Sequence, residues 1–240
     1  MNLPTPARIY DAIDATWPPA EAQSIGDWTV RRGAGGGSRV SAATTTNEAA
    51  DIAQMEQAQT ALGQTPLVMV RQGQTTLDTA LQGAGYTVKD PVRAYAIKAA
   101  DLAQDPPKVT AFIVQGAPLT AQKEVWTLDG IGADRLAVMD RCAQPKCTVM
   151  GRYKDRPLGT AYLAADGDLA MLHALVVAPA ARRQNLARHM MWAAASWAQD
   201  QGATWLSVVV TKANAPANGL YTSLGMSPVG DYHYRQHPSA

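Results

Sequence analysis

Apolar positions along this chain keep two rhythms, and the switches between them mark out the elements. Residues 8–16 read as a short helix that WPPAEA stops, since proline cannot continue the ladder. IGDWTVRRGAGGGSRVSAAT reads as two alternating strands around a glycine-rich turn. From Asn47, a capping residue, to Leu62, apolar residues recur at helical spacing through Ile52, Met55 and Ala58. PLVMV is an apolar run of strand length, TTLDTALQGAG a short helix ending on glycine, and YTVKDPVRAYAIKA a pair of strands.

After a polar, proline-rich stretch at 101–107 the pattern restarts, which predicts one unit over 1–100, a linker, and a second over 108–240. The second unit opens with a strand in KVTAFIV, two helices in TAQKEVWTLDGI and GADRLAVMDRCA, and three meandering strands, CTVMGRYK, PLGTAYLAAD and DLAMLHALVV. A long helix over 183–201, the strand TWLSVVVT, the helix NAPANGLYTSLG and a closing strand pair complete it. The class is therefore mixed α/β, of α+β type. The two units end alike, as strand, helix, glycine, strand. Aligning Gly85 with Gly225 sets Leu81 opposite Tyr221.

With 47% hydrophobic and 17% charged residues, the chain belongs with globular proteins. A net charge of +1 argues against nucleic acid or an anionic membrane as partner. Arg31, Arg32 and Arg39 cluster around the first predicted hairpin, a weak basis for a nucleic-acid reading. Cys142 and Cys147 have no second pair, and His189, His233 and His237 stand at no metal-ligand spacing, so no metal is expected. No apolar segment approaches the roughly 20 residues that cross a bilayer. The expectation is a cytoplasmic protein with two free thiols. GAGGGS lacks the lysine and hydroxyl residue of a phosphate loop, and no helix is expected directly after it.

Between the run LHALVVAPAA and the long helix stands RRQNLARHMM, a cluster of donors at a strand-to-helix corner. Helix N-termini carry free N–H groups and partial positive charge, so an anion belongs there. Arg182-Arg183-Gln184-Asn185-Leu186-Ala187 resembles the Gln/Arg-x-x-Gly-x-Gly/Ala signature of the GNAT superfamily of acyl-CoA N-acyltransferases. Asparagine stands in place of the central glycine; it is the non-glycine residue that best tolerates left-handed backbone. Residues 214–226, NAPANGLYTSLGM, resemble the family's Asn-x-x-Ala-x-x-Leu-Tyr-x-x-x-Gly-Phe motif, with methionine in the last place.

The resemblance implies two such mixed-sheet units in tandem, the second complete and the first, without the loop and with Leu81 for the tyrosine, degenerate. It further implies acetyl-CoA as co-substrate and a small-molecule or peptide amine as acceptor; whether the chain is a monomer or a homodimer stays open. The amides of Arg182 to Ala187 would hold the coenzyme pyrophosphate, and those of Leu175, Val176 and Val177 the pantetheine arm and thioester carbonyl. Asn214 joins the cofactor-binding set. Tyr221 would protonate the departing thiolate. His173, four residues before Val177 and by alternation on the same strand face, is the candidate to take the amine proton, with an ordered water or a glutamate as the alternative base and a buried structural histidine as the other reading. A binding protein that senses acyl-CoA without turnover is the alternative. The first unit is expected to wall the acceptor pocket.

Overall fold

The computed structural model describes residues 2–104 and 110–238. The chain opens with α1 (Pro6–Thr16), started by Thr5, whose Oγ1 accepts from the Arg8 N–H at 3.2 Å. Strands β1 (Glu21–Ile25) and β2 (Trp28–Arg32) form a hairpin that turns at Gly26, not at the glycine run. The glycines instead lead into a one-turn helix, α2 (Ser38–Ser41), contrary to expectation, and then β3 (Thr44–Thr45). The reason is close packing. A Cβ on Gly35 would lie 2.4 Å from Asp134 Oδ2, and one on Gly36 would lie 2.6 Å from Val138 Cγ2.

Helix α3 (Ile52–Ala61) is capped by Asp51, which accepts from the N–H groups of Ala53 and Gln54. Asn47 serves instead a local turn through Ala49 N–H and reaches Asp27. Next come β4 (Leu67–Arg71), α4 (Thr75–Gly83), β5 (Thr87–Lys98) and α5 (Ala99–Leu102). The strand pair expected in YTVKDPVRAYAIKA is one twelve-residue strand, kinked where Asp90 takes a positive φ of 45°. Of the expected linker, Asp101 and buried Leu102 end α5, while 105–107 lie outside the described residues.

Then follow β6 (Ala111–Val114), α6 (Thr120–Thr127), α7 (Ala133–Arg141), β7 (Lys146–Tyr153), β8 (Arg156–Asp166) and β9 (Leu169–Val177). A 3₁₀ turn at Pro179–Ala181 leads to α8 (Leu186–Asp200), which begins three residues later than the sequence suggests. Strand β10 (Trp205–Thr211), α9 (Ala215–Ser223) and β11 (Ser227–Gln236) finish the fold. The closing pair is one strand with register shifts. Among the described residues no helix is long and apolar enough to cross a membrane.

Beside the small sheet β1-β2-β3 stands one sheet of eight strands, ordered β4-β11-β5-β10-β9-β8-β7-β6. The units expected at 1–100 and 108–240 thus share it. Each gives its last strand to the other: β11 pairs with β4, and β5 pairs with β10, both antiparallel. The repeated endings match in shape, since α4 and α9 each span nine residues before a glycine of positive φ, 88° at Gly85 and 79° at Gly225. Helix α8 packs on one sheet face, burying Met190, Met191 and Trp197 against β6 to β10. Helix α1 and the Trp126 end of α6 cover the other. Cys142 is free and buried on that face, whereas Cys147 is free and buried on the α8 face, where burial pushes its thiol up to about 12.

Candidate active site

The site begins where two parallel strands part. The β9–β10 ladder runs from Leu169–Trp205 to Leu172–Val208 and stops, so beyond that point the β10-facing edge of β9 is open. A bulge lies at the opening. Ala174 takes a φ of 51°, and the register with β8 shifts between Thr160 and Tyr162. Trp126 Nε1–H donates to the turned Ala174 carbonyl at 2.8 Å, so a fully buried indole fixes the bulge. Alternation is thereby broken. His173 and Val176 face the Trp17 side, whereas Leu175 and Val177 face α8. The expectation that His173 and Val177 share a face is corrected by this extra residue.

Helix α8 aims its N-terminus at the opening. Asn185 is the N-cap in the left-handed region, φ 59°, as expected of asparagine in a glycine position, and its side chain caps nothing. The first-turn amides are therefore available to a ligand. Arg183, φ 62°, carries an exposed guanidinium with no ion pair among the described residues. Arg182 is used differently: its Nε–H donates to the Val177 carbonyl at 3.1 Å and closes the strand end. Gln184 Oε1 accepts from the Tyr153 hydroxyl, tying the loop to β7. Leu186 and Ala187 form the helix start beside them. Arg182, Arg183, Asn185, Leu186 and Ala187 border a cleft of about 610 Å³ with Leu175, Val176 and Val177, and Gln184 does not line it. Free amides, a left-handed turn and an uncompensated arginine are the donor set that a pyrophosphate needs.

A second pocket of about 350 Å³ continues from the first, sharing Asp129, Leu175, Val176, Asn214 and Ala217 with it. Asn214 caps α9, its Oδ1 accepting from Ala217 N–H at 3.1 Å. Tyr221 lines the second pocket beside Tyr95, ring centres 5.9 Å apart, and its hydroxyl has no partner among the described residues. Burial raises its pKa, so the hydroxyl keeps its proton at neutral pH. Leu81, its counterpart in the first repeat, is wholly enclosed in apolar core. The first unit supplies Trp17, the loop from Gly36 to Arg39, Asp90 and Val92 to the pocket wall.

His173 departs from its expected role. Arg39 Nη1 donates to its Nδ1 at 3.0 Å, and guanidinium has only donors, so Nδ1 is bare and Nε2 holds the proton. Nε2–H then donates to Thr16 Oγ1 at 2.9 Å, whose hydroxyl donates to the Ala12 carbonyl. Trp17 and Tyr162 pack on the ring. With both nitrogens engaged, His173 has no lone pair for an amine proton. Burial, and secondarily the Arg39 charge, hold its pKa well below the usual 6.5.

Stability then depends on pH with a defined sign. Below 6.5 the unfolded chain protonates this histidine and the folded protein does not, so stability is full above that value and lost on acidification. Urea titrations from pH 7 to pH 5 are expected to show that loss, with a slope of at most about 1.4 kcal/mol per pH unit from this residue. His173→Gln should flatten the curve. An unchanged slope in the variant would rule the histidine out as its source.

Several relevant residues were not singled out for the site by the sequence. Arg39, Trp17 and Asp129 carry no motif, and only the contact between the glycine loop and α7 brings them together. Arg31 and Arg32 pair instead with Asp14 and Glu21, so the three arginines form no common surface. His233 shares Asp78 with Arg235, linking β11 to α4. No cluster of three His, Cys, Asp or Glu side chains suited to a metal occurs among the described residues.

Residues 121–226 match the model of the acetyltransferase (GNAT) family. Among solved structures, a GCN5-related N-acetyltransferase from Kribbella flavida superposes with a TM-score of 0.75 at 19% identity, covering 100% of this chain and 98% of its own. A functionally unknown conserved protein from Staphylococcus epidermidis ATCC 12228 gives 0.69 at 9% identity, over 93% and 96%. A tandem GNAT protein from the clavulanic acid biosynthesis pathway gives 0.59 at 13% identity, over 79% and 69%. No curated protein matches the sequence significantly. Residues 121–226 are thus similar to the acetyltransferase (GNAT) family, within a fold shared along the whole chain with a GCN5-related N-acetyltransferase.

Proposed function

We propose that the protein transfers an acetyl or other short acyl group from its coenzyme A thioester to an amine, directly within a ternary complex. The observation that carries this reading is the opened β9–β10 edge facing the uncapped first turn of α8. In it, the amides of residues 183–187 and the Arg183 guanidinium hold the pyrophosphate. The open β9 edge at Leu175 to Val177 receives the pantetheine arm and polarises the thioester carbonyl. Coenzyme A supplies the activated acyl group. Tyr221 delivers a proton to the leaving sulfur. The amine proton leaves to water or to Asp129, the carboxylate common to both pockets. Residues 1–100 act as a degenerate partner unit that walls the acceptor side. The alternative, binding without turnover, is disfavoured by the unpartnered Tyr221 hydroxyl facing the pocket.

Calorimetric titration with acetyl-CoA tests the reading. Binding near one equivalent is expected, weakened about tenfold or more in Arg183→Glu, since hydrogen bonds to charged groups contribute about 1.5–3 kcal/mol. Tyr221→Phe should leave it unchanged. Absence of binding by the parent protein would overturn the assignment.

A further inference from the structure

The acceptor pocket holds a guanidinium whose charge the protein does not answer. Arg39 is fixed by its bond to His173 and by stacking, its Cζ 5.6 Å from the Trp17 ring centre. No carboxylate lies within ion-pair distance of it among the described residues, and its Nε is buried with no hydrogen-bond partner. A buried donor left unpaired costs about 1–3 kcal/mol, more when charged. His173 cannot supply the counter-charge, being neutral. The guanidinium is thus held rigid, partly desolvated and without a counter-charge, which is the state that an anion resolves.

The remaining charges fit a dipolar ligand. Arg39 is half-buried, whereas Asp90, Asp129 and the second cation, Arg135, are exposed at the pocket margin. Asp129 sits on the border with the cofactor cleft, where an amine must stand to meet a thioester. A volume of about 350 Å³ is at the small end of ligand pockets, suited to a metabolite rather than a protein segment.

Building on the acyl-transfer reading, we propose that the acceptor is a small amine bearing a carboxylate, of the amino-acid class, anchored by Arg39 through Nη2. The amide C–N bond forms as the thioester C–S bond breaks; the amine gives up one proton and the sulfur takes one, leaving an N-acyl amino acid and free coenzyme A thiol. His173 acts as a positioning residue for Arg39.

The test uses the full chain with acetyl-CoA and the standard L-amino acids, each against its primary amide, a neutral planar isostere, read by thiol release. N-acetyl amino acids and their amides are also titrated into coenzyme A-saturated protein, so that the readout does not depend on turnover. At least one amino acid is expected to exceed its amide by about 100-fold or more in kcat/KM, because a site built for a polar group strongly rejects ligands lacking it. Arg39→Gln should erase that preference and Arg39→Lys keep part of it, with acetyl-CoA affinity unchanged in both. If acetyl-CoA binds but neither turnover nor product binding favours the carboxylate, the proposal is wrong while the acyl-transfer reading stands. If acetyl-CoA itself does not bind, both fall.

Discussion

Valine at position 159 is expected to weaken acetyl-CoA binding at least tenfold and to lower the thermal midpoint, although the residue lies on a strand and touches no ligand. Gly159 and Gly151 are direct partners on β8 and β7, beneath the start of α8. A Cβ on Gly159 would lie 2.6 Å from Met190 Sδ and 3.2 Å from Leu186 Cδ2; one on Gly151 would meet the same two side chains at 2.7 and 3.2 Å. Met190 has no exposed surface to retreat to. Overpacking of this kind costs about 1–3 kcal/mol. Leu186 directly follows Asn185, so a helix pushed off the sheet carries the anion loop with it. Calorimetry with acetyl-CoA and a thermal scan read both effects. Adding Met190→Ala should restore part of each, as coupled neighbours do. A Gly159→Val protein with unchanged affinity would show that the glycine pair does not set the loop.

Removing the Tyr221 hydroxyl as Tyr221→Phe is expected to reduce kcat about 100-fold or more, the usual range for a lost general acid, with acetyl-CoA affinity unaltered. Phenylalanine keeps the ring beside Tyr95 and the packing under α9. Only the hydroxyl disappears. Because burial keeps that hydroxyl protonated well above neutral pH, the parent's activity should show no tyrosine titration between pH 6 and 9. A kcat within threefold of the parent would assign the proton to solvent.

What was legible in the sequence was local. The anion loop, the tyrosine helix and the repeated strand-helix-glycine-strand endings stand at fixed spacings in one stretch of chain, so motif and period find them. Asn185 illustrates the strength of that reading, since it takes the left-handed conformation that its place at the motif's glycine position implied. Where the reading failed, the cause was tertiary. His173 looks like a base by residue type, and only Arg39, from helix α2, 134 positions away, converts it into an acceptor with no lone pair to spare. The bulge at Ala174 is held by Trp126 from another element, so alternation along β9 could not foresee it. The glycine run was read as a turn because the reason for its glycines is the face of α7.

The exchange of last strands has a consequence for how the chain can be assembled. In the order β4-β11-β5-β10, both neighbours of β5 lie within residues 205–236, and the gap between β4 and β5 is filled by the final strand. During synthesis, therefore, the first hundred residues must wait with open strand edges until β11 (Ser227–Gln236) is made. Such edges invite pairing with other chains. A ribosome stalled near residue 200 would carry a nascent chain already long enough to hold most of its core, yet unable to close its sheet. The step that completes the acceptor pocket is also the step that ends this exposure.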